Sequence, residues 1–473
     1  MNIHVPQSLE SQAEMKYLSA AQWNMISPQS SKPNMAIVQD SLLGAYRMTR
    51  KSVKLTTGQF FNIAMSLPRA PWVKQSELVV KSSDSVLLGV DSHREEWVRT
   101  GRMTSCQGKS TDGVMSSDEI MSRIQHIRRI LKEKGKKIQC YNGHGLISLF
   151  LPEDFIYERT NDANPEEPTV KIWRGVMYEG TFDKAIIGAS HSSIHHLLHK
   201  EYGPETASYF IDCIQFVTNQ YLLIDGFSVG LGDCLIPQTV NEDGVTKEAE
   251  IRDVVRKCYI EAEAIKQATS HPSIREIRIN ASLNKAKDIG LRIAKDALSE
   301  DNNFLSTVLS GSKGDFFNIA QITGLLGQQN LKGQRVPLLM NHGKRSLPHY
   351  PFGELEPEME YESRGFISKG FLRGLNPRQF YFHAMSGREG VCDTAMGTAT
   401  SGYMQRRIVK LTEDMKIQHD GTVRDTPGKI YQMSYGQLGF DPTCTVKVKN
   451  DQEMCDISRI VARLNMKQEL SVK

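Results

Sequence analysis

Lys313 stands in the run GSKG, followed at once by DFFNIAQITG, an apolar stretch with helical spacing. A glycine-flanked ammonium beside a helix start is a place where free backbone N–H groups, the helix dipole and a cation can converge on a phosphate. An ordinary surface lysine in a glycine-rich turn has the same local sequence. A second candidate is REGVCDTAMGTATSGYMQRR, residues 388–407. There Ala395, Thr398, Ala399 and Gly402 recur at i, i+3, i+4 and i+7, so they share one helix face. That face is nearly bare, and Gly390, Gly397 and Gly402 each cost a helix about 1 kcal/mol relative to alanine. Close packing of a second helix is one reason to accept that cost. A third group is His191, His195, His196 and His199, with 195 and 199 one helical turn apart. No glutamate lies between them, so the metallohydrolase pattern is absent, and packing or surface histidines are expected.

Two other chemistries lack their residues. No D-x-D-x-D run occurs, so the sequence offers no aspartate cluster of the kind that holds catalytic magnesium. The eight cysteines are scattered singly, with no C-x-x-C, which argues against a zinc ribbon or a disulfide framework and for a reducing compartment. The N-terminal residues lack a secretory pattern, and the longest apolar runs are far short of the roughly 20 residues of a membrane span. Nucleus or cytoplasm is therefore the expected location. With 473 residues, 39% hydrophobic and 24% charged, the chain has the profile of a folded globular protein. A net charge of +4 does not by itself demand a nucleic-acid partner.

The elements that must position these residues are partly readable. KEAEIRDVVRKCYIEAEAIKQA and IREIRINASLNKAKDIGLRIAKDAL, separated by TSHPS, read as an antiparallel helical hairpin within 237–300. Asn376 as N-cap and Pro377 at the first helical position open a long helix over 375–418. HDGTVRDTPGK then ends it. Residues 118–137, DEIMSRIQHIRRILKEKGKK, carry isoleucine and leucine at 120, 124, 127, 130 and 131, an amphipathic stripe with a basic opposite face. KIWRGVMYEGTF reads as two strands around a turn, SSIHHLLHKEYG as a helix start, LISLFLPEDFIY as a strand and 7–25 as a short helix. Mixed α+β is the expected fold class.

The run GFLRGLNPRQFYFHAMSGREGVCDTAMGTATSGYMQRRIVKLTEDMKIQHDGTVRD resembles the bridge helix of the largest subunit of multisubunit DNA-directed RNA polymerases, in a form similar to RNA polymerase II. Further resemblances follow in the family's order: MNIHVPQSLESQAE, SPQSSKPNMAIVQDSLLGAYRMT, GHGLISLFLPEDF, LLIDGFSVGLGD and LSGSKGDFFNIAQITGLLGQQNLKGQRV. The resemblance implies the end of the active-site domain in 1–50 and a pore region in 51–236, with 85–137 as an insertion. It implies funnel helices in 237–300, a pore-lining segment and loop in 301–374, the bridge helix in 375–418 and the start of the next region in 419–473.

By the same resemblance, Lys313 approaches the triphosphate of the incoming nucleotide. Thr398 and Ala399 touch the base pair at the active position, with Tyr403, Arg406 and Arg407 following along the template. Gln328, Gln329, His383 and Glu389 line the pocket between pore and bridge helix; polar satisfaction between two elements is the simpler role for these four. Gly397 departs from the family, which usually has a long side chain there. The implied reaction is templated nucleotidyl transfer from ribonucleoside triphosphates with Mg2+, whose ligands lie outside this chain. The family's trigger loop and N-terminal clamp also have no match. The expected partners are the second-largest subunit and other polymerase subunits, the remaining pieces of the largest subunit, DNA template, RNA transcript and a transcript-cleavage factor reaching through the funnel. The isolated chain is expected to be catalytically inert. A split gene, as in some large DNA viruses, and a fragment of a longer chain both fit; a viral origin would place it in a viral factory or virion. A remnant that binds polymerase subunits or nucleic acid without supporting synthesis is the competing reading.

Overall fold

The computed structural model describes residues 3–70, 114–137, 140–160, 169–235, 246–299, 301–436, 439–448 and 451–471. Helices and small antiparallel sheets are mixed, an α+β chain, and it divides into two compact units. Unit one comprises 1–227, 309–312 and 434–473; unit two comprises 228–308 and 313–433.

In unit one, α1 (Leu9–Tyr17) buries no residue, whereas α2 (Gln39–Thr49) is buried along most of its length. α3 (Thr57–Ala64) and α4 (Ser117–Glu133) both start at a capping box, Thr56 with Gln59 and Ser116 with Glu119. The isoleucine stripe of α4 enters the core, where Ile120, Ile124, Ile127 and Ile130 are buried beside Phe60, Leu146 and Phe210. Of the stretch 85–137, residues 114–137 thus lend an apolar stripe to the core of unit one, and 85–113 lie outside the described residues.

The strand expected in LISLFLPEDFIY is instead α5 (Gly143–Leu149) followed by β1 (Tyr157–Arg159). Asn142 caps α5, its Oδ1 accepting from the Gly145 amide at 2.9 Å. A Cβ on Gly143 would lie 2.0 Å from the Met48 carbonyl oxygen, so glycine is what lets α5 reach α2. β1 pairs with β2 (Val170–Trp173), which turns into β3 (Val176–Glu179) as the sequence predicts. Arg174 and Gly175 both have positive φ, 50° and 70°, the backbone a two-residue hairpin requires. α6 (Ile194–Tyr202) and α7 (Pro204–Asp225) complete the core, separated by Gly203 with a φ of 93°. His195 and His196 are buried in α6, and among the described residues no group of three or more His, Cys, Asp or Glu side chains is placed to hold a metal ion.

Unit two is built on the expected hairpin, α8 (Lys247–Ala268) and α9 (Pro272–Ala297). Ile251, Val255, Cys258 and Ala262 of α8 pack on Ile279, Leu283 and Ala286 of α9. Ser282 Oγ donates to Glu261 at 3.1 Å, near the middle of both helices. Tyr259 stacks on Tyr361 at 5.1 Å and meets Phe366 edge-on at 5.4 Å, fixing the hairpin to the segments that precede the long helix.

Candidate nucleic-acid interface

The long helix α12 (Pro377–Thr412) has 36 residues, about 54 Å. It ends six residues before the expected 418, because Lys416 and Ile417 pair as a strand with Val423 and Arg424. Asn376 is its N-cap and Pro377 its first residue, as read from the sequence, and Gln379 completes a capping box. α10 (Phe316–Thr323) and α11 (Pro357–Ser363) precede it, and α11 and a short strand hold its N-terminal third. Glu362 of α11 accepts from Gln379 Nε2 at 3.0 Å, from Tyr350 at 3.2 Å and pairs with Arg378 at 3.3 Å. Phe382 stacks on Tyr350 at 6.3 Å. Sequence reasoning did not single out Glu362, and no motif in the sequence marked it.

One turn further on, three of the expected residues tie α12 to the neighbouring strands. β4 (Gly327–Gln328) pairs with β7 (Phe366–Ile367), and β5 (Asn330–Leu331) forms a tight hairpin with β6 (Gln334–Arg335) through Lys332 and Gly333. His383 Nδ1 donates to Gln329 Oε1 at 3.2 Å, and the imidazole meets Phe371 edge-on at 5.2 Å. Glu389 Oε1 accepts from the Lys332 amide at 2.7 Å, closing the hairpin onto α12. Gln328 turns away from α12: its Nε2 donates to the Gln329 and Arg364 carbonyls at 2.8 and 2.9 Å. The buried Oε1 of Gln328 and Oδ1 of Asn330 find no donor among the described residues.

Beyond this anchor the helix is bare. Every residue from Gly390 to Thr412 is exposed, including Met396 at 74% and Tyr403 at 65%. A Cβ at Gly390, Gly397 or Gly402 would meet nothing within 4 Å. Helix packing within the described chain therefore does not explain these glycines. Thr394, Thr398 and Thr400 each donate their hydroxyl to the carbonyl four residues back, at 2.8, 2.7 and 3.3 Å. Thr398 is thus self-satisfied, and its methyl group and that of Ala399 are what the face offers. Arg407 lies over the Tyr403 ring at 5.5 Å, and neither Arg406 nor Arg407 has an acidic partner among the described residues.

Lys313 is exposed, three residues before the start of α10. The helix start itself is taken: Asp315 is the N-cap, and its carboxylate accepts from the Asn318 amide at 2.9 Å. An anion at that N–H group would have to displace a carboxylate. What remains is the ammonium of Lys313 on a backbone turned by Gly314, φ 70°.

Residues 24–234, 259–367 and 374–457 match, in that order, the families described as RNA polymerase Rpb1 domain 3, domain 4 and domain 5. The whole chain aligns at 43% identity, over 491 aligned positions, with a probable DNA-directed RNA polymerase II subunit RPB1 homolog of Invertebrate iridescent virus 6. The chain belongs to the RNA polymerase largest-subunit family. It spans 42% of the length of that viral relative. The domain 5 match takes in all of α12, and the domain 4 match runs from the middle of α8 to the end of β7. In this largest-subunit segment, His383 and Glu389 thus join a domain 5 helix to Gln329 and Lys332 of the domain 4 stretch.

Proposed function

We propose that this largest-subunit segment forms the nucleotide path and the template-supporting helix of a DNA-directed RNA polymerase. The observation that carries the reading is α12: a long helix anchored at one end and exposed from Gly390 onward, with a small-residue face at Ala395, Thr398 and Ala399. A face with no partner among the described residues and no bulky side chains suits a flat, planar ligand such as a terminal base pair. Two turns on, Arg406 and Arg407 supply charge for the template phosphates, a contact that positions without reading sequence. The free ammonium of Lys313 serves the triphosphate. Gln329, His383 and Glu389 hold the wall of the nucleotide path against α12, and the α8–α9 hairpin forms the funnel. The second-largest subunit, further polymerase subunits, DNA, RNA and ribonucleoside triphosphates complete the assembly.

Magnesium, which this family's chemistry calls for, does not fit the residues of this chain. No aspartate triplet occurs in the sequence, and the described residues gather no cluster that could hold the ion. Its carboxylates belong to a neighbouring piece.

The test is reconstitution with the second-largest subunit and the remaining largest-subunit pieces, scoring magnesium-dependent extension of a primed template. We expect Thr398→Trp to stop extension by filling the bare face, and Lys313→Ala to raise the nucleotide concentration needed. Wild-type extension by both variants would remove these roles. An assembly that forms and binds the primed template yet never extends it would favour a binding-only remnant.

A further inference from the structure

The basic face of α4 is not used by any role described so far. Its apolar stripe explains the buried isoleucines but not the charge on the opposite side. Arg128, Arg129, Lys132, Lys134 and Lys137 are all exposed. None has an acidic partner among the described residues. Glu133 pairs with Arg174 at 3.7 Å, and Glu179 with Lys136 of the turn at 3.6 Å.

An ordinary solvated helix in the same molecule looks different. The exposed side of α8 interleaves both signs, pairing Lys247 with Glu250, Arg252 with Glu248, and Arg256 with Asp253. Residues 71–113, adjacent in sequence, carry as many acidic as basic side chains and so bring no surplus negative charge.

The cations of α4 are also held in place. Gly135, φ 64°, closes the helix: its amide donates to the Lys132 carbonyl at 3.1 Å and that of Lys136 to the Leu131 carbonyl at 3.0 Å. Arg128 donates to the Tyr141 hydroxyl at 3.0 Å, and the Lys134 ammonium sits 4.2 Å from the centre of the Trp173 ring. Among the residues of α4, Met121 is the one exposed large hydrophobic. A protein partner needs an apolar centre to bury, whereas nucleic-acid interfaces are polar and strongly positive.

We infer that the solvent face of α4 and the turn after it form a nucleic-acid binding surface, contacting the sugar–phosphate backbone through Arg128, Arg129 and Lys132. The contact is electrostatic and blind to sequence. It rests on the polymerase reading only in taking nucleic acid as the polyanion at hand. Binding is measured without synthesis, so its failure and the failure of the extension assay can be told apart.

The experiment compares the full chain with Arg128→Gln/Arg129→Gln/Lys132→Gln and with an equal charge change on α8, Arg252→Gln/Arg256→Gln/Lys257→Gln. Each is titrated against labelled single-stranded RNA, the same sequence as single-stranded DNA, and its duplex, across a salt series. We expect the α4 variant to bind about tenfold more weakly at low salt, with a log–log salt slope shallower by about 2. The α8 variant should keep wild-type binding. Lys132→Gln alone, which removes no described contact, should cut the slope by about 0.7 on a single strand. A loss confined to one arm names the strand; a loss in all three shows contact with the backbone of any. Equal losses in the α4 and α8 variants, or none in either, overturn the surface. So does unchanged nucleic-acid binding by an α4 variant that fails to co-purify with another polymerase subunit.

Discussion

Glu389 and His383 lie two turns apart on α12 and join it to neighbouring strands by one polar contact each, the shorter being the 2.7 Å bond from the Lys332 amide to Glu389. Lys332 itself has a positive φ of 50°, a strained setting for a non-glycine residue that the tight hairpin imposes. A charged acceptor on that amide is worth about 1.5–3 kcal/mol. In Glu389→Ala we expect the Lys332 amide to exchange with solvent at least about tenfold faster, while amides of the α8–α9 hairpin keep their protection. Unchanged exchange at Lys332 would mean that the carboxylate does not hold the turn. Residue identity alone did not place these contacts. Gln328 and Gln329 are chemically equivalent in sequence, yet the strand pairing of Gln328 with Phe366 sends one side chain back into its own layer and the other to His383. At Lys313 the sequence held more than was used, since Asp315 three residues before Asn318 is itself an N-cap signal.

At the scale of elements, period and caps were the legible part. α8, α9 and the start of α12 follow from apolar spacing, a proline at the helix start and a capping box. α5 was not legible, because a short apolar run has no period that separates a buried helix from a buried strand. Its identity is set by tertiary contacts, through glycines that admit the Met48 and Cys140 carbonyls. The three interior glycines of α12 raise a different question, since nothing described in the chain touches them. If packing inside the chain had selected them, alanine would clash; instead it should stabilise. We expect Gly397→Ala to strengthen α12 by about 1 kcal/mol, seen as slower amide exchange over residues 393–401 of the chain. In the reconstituted polymerase the same change should slow extension if bending of this helix accompanies translocation. A faster or unaltered rate would leave the glycine without a role in movement.

For the molecule as a whole, unit one is assembled from segments distant in sequence. The C-terminal helix Ile457–Ser471 returns to it through Arg459 with Glu201, and through Arg463 with Glu201 at 3.2 Å and Asp154 at 3.4 Å. Close by, α6 buries two histidines that stay neutral. Burial lowers His195 to about 4 and, with the charge of Lys200 nearby, His196 to about 3. Both titrate near 6.5 when unfolded, so below that pH the unfolded chain binds more protons than the folded one. Their contribution is complete above about pH 6.5 and is lost progressively as pH falls toward 4 and 3, amounting to several kcal/mol, roughly. Carboxylates begin to protonate mainly below about pH 4.5, so the window between about pH 6.5 and 5 belongs to histidine. The tryptophans among the described residues, Trp23 and Trp173, both belong to unit one, and none of the four lies beyond residue 227, so a tryptophan signal follows that unit. We expect the urea midpoint read by tryptophan to drop steadily from about pH 6.5 to pH 5, and His195→Gln to flatten that slope. A midpoint constant across the window would show that the histidines of α6 do not carry the acid sensitivity of this unit.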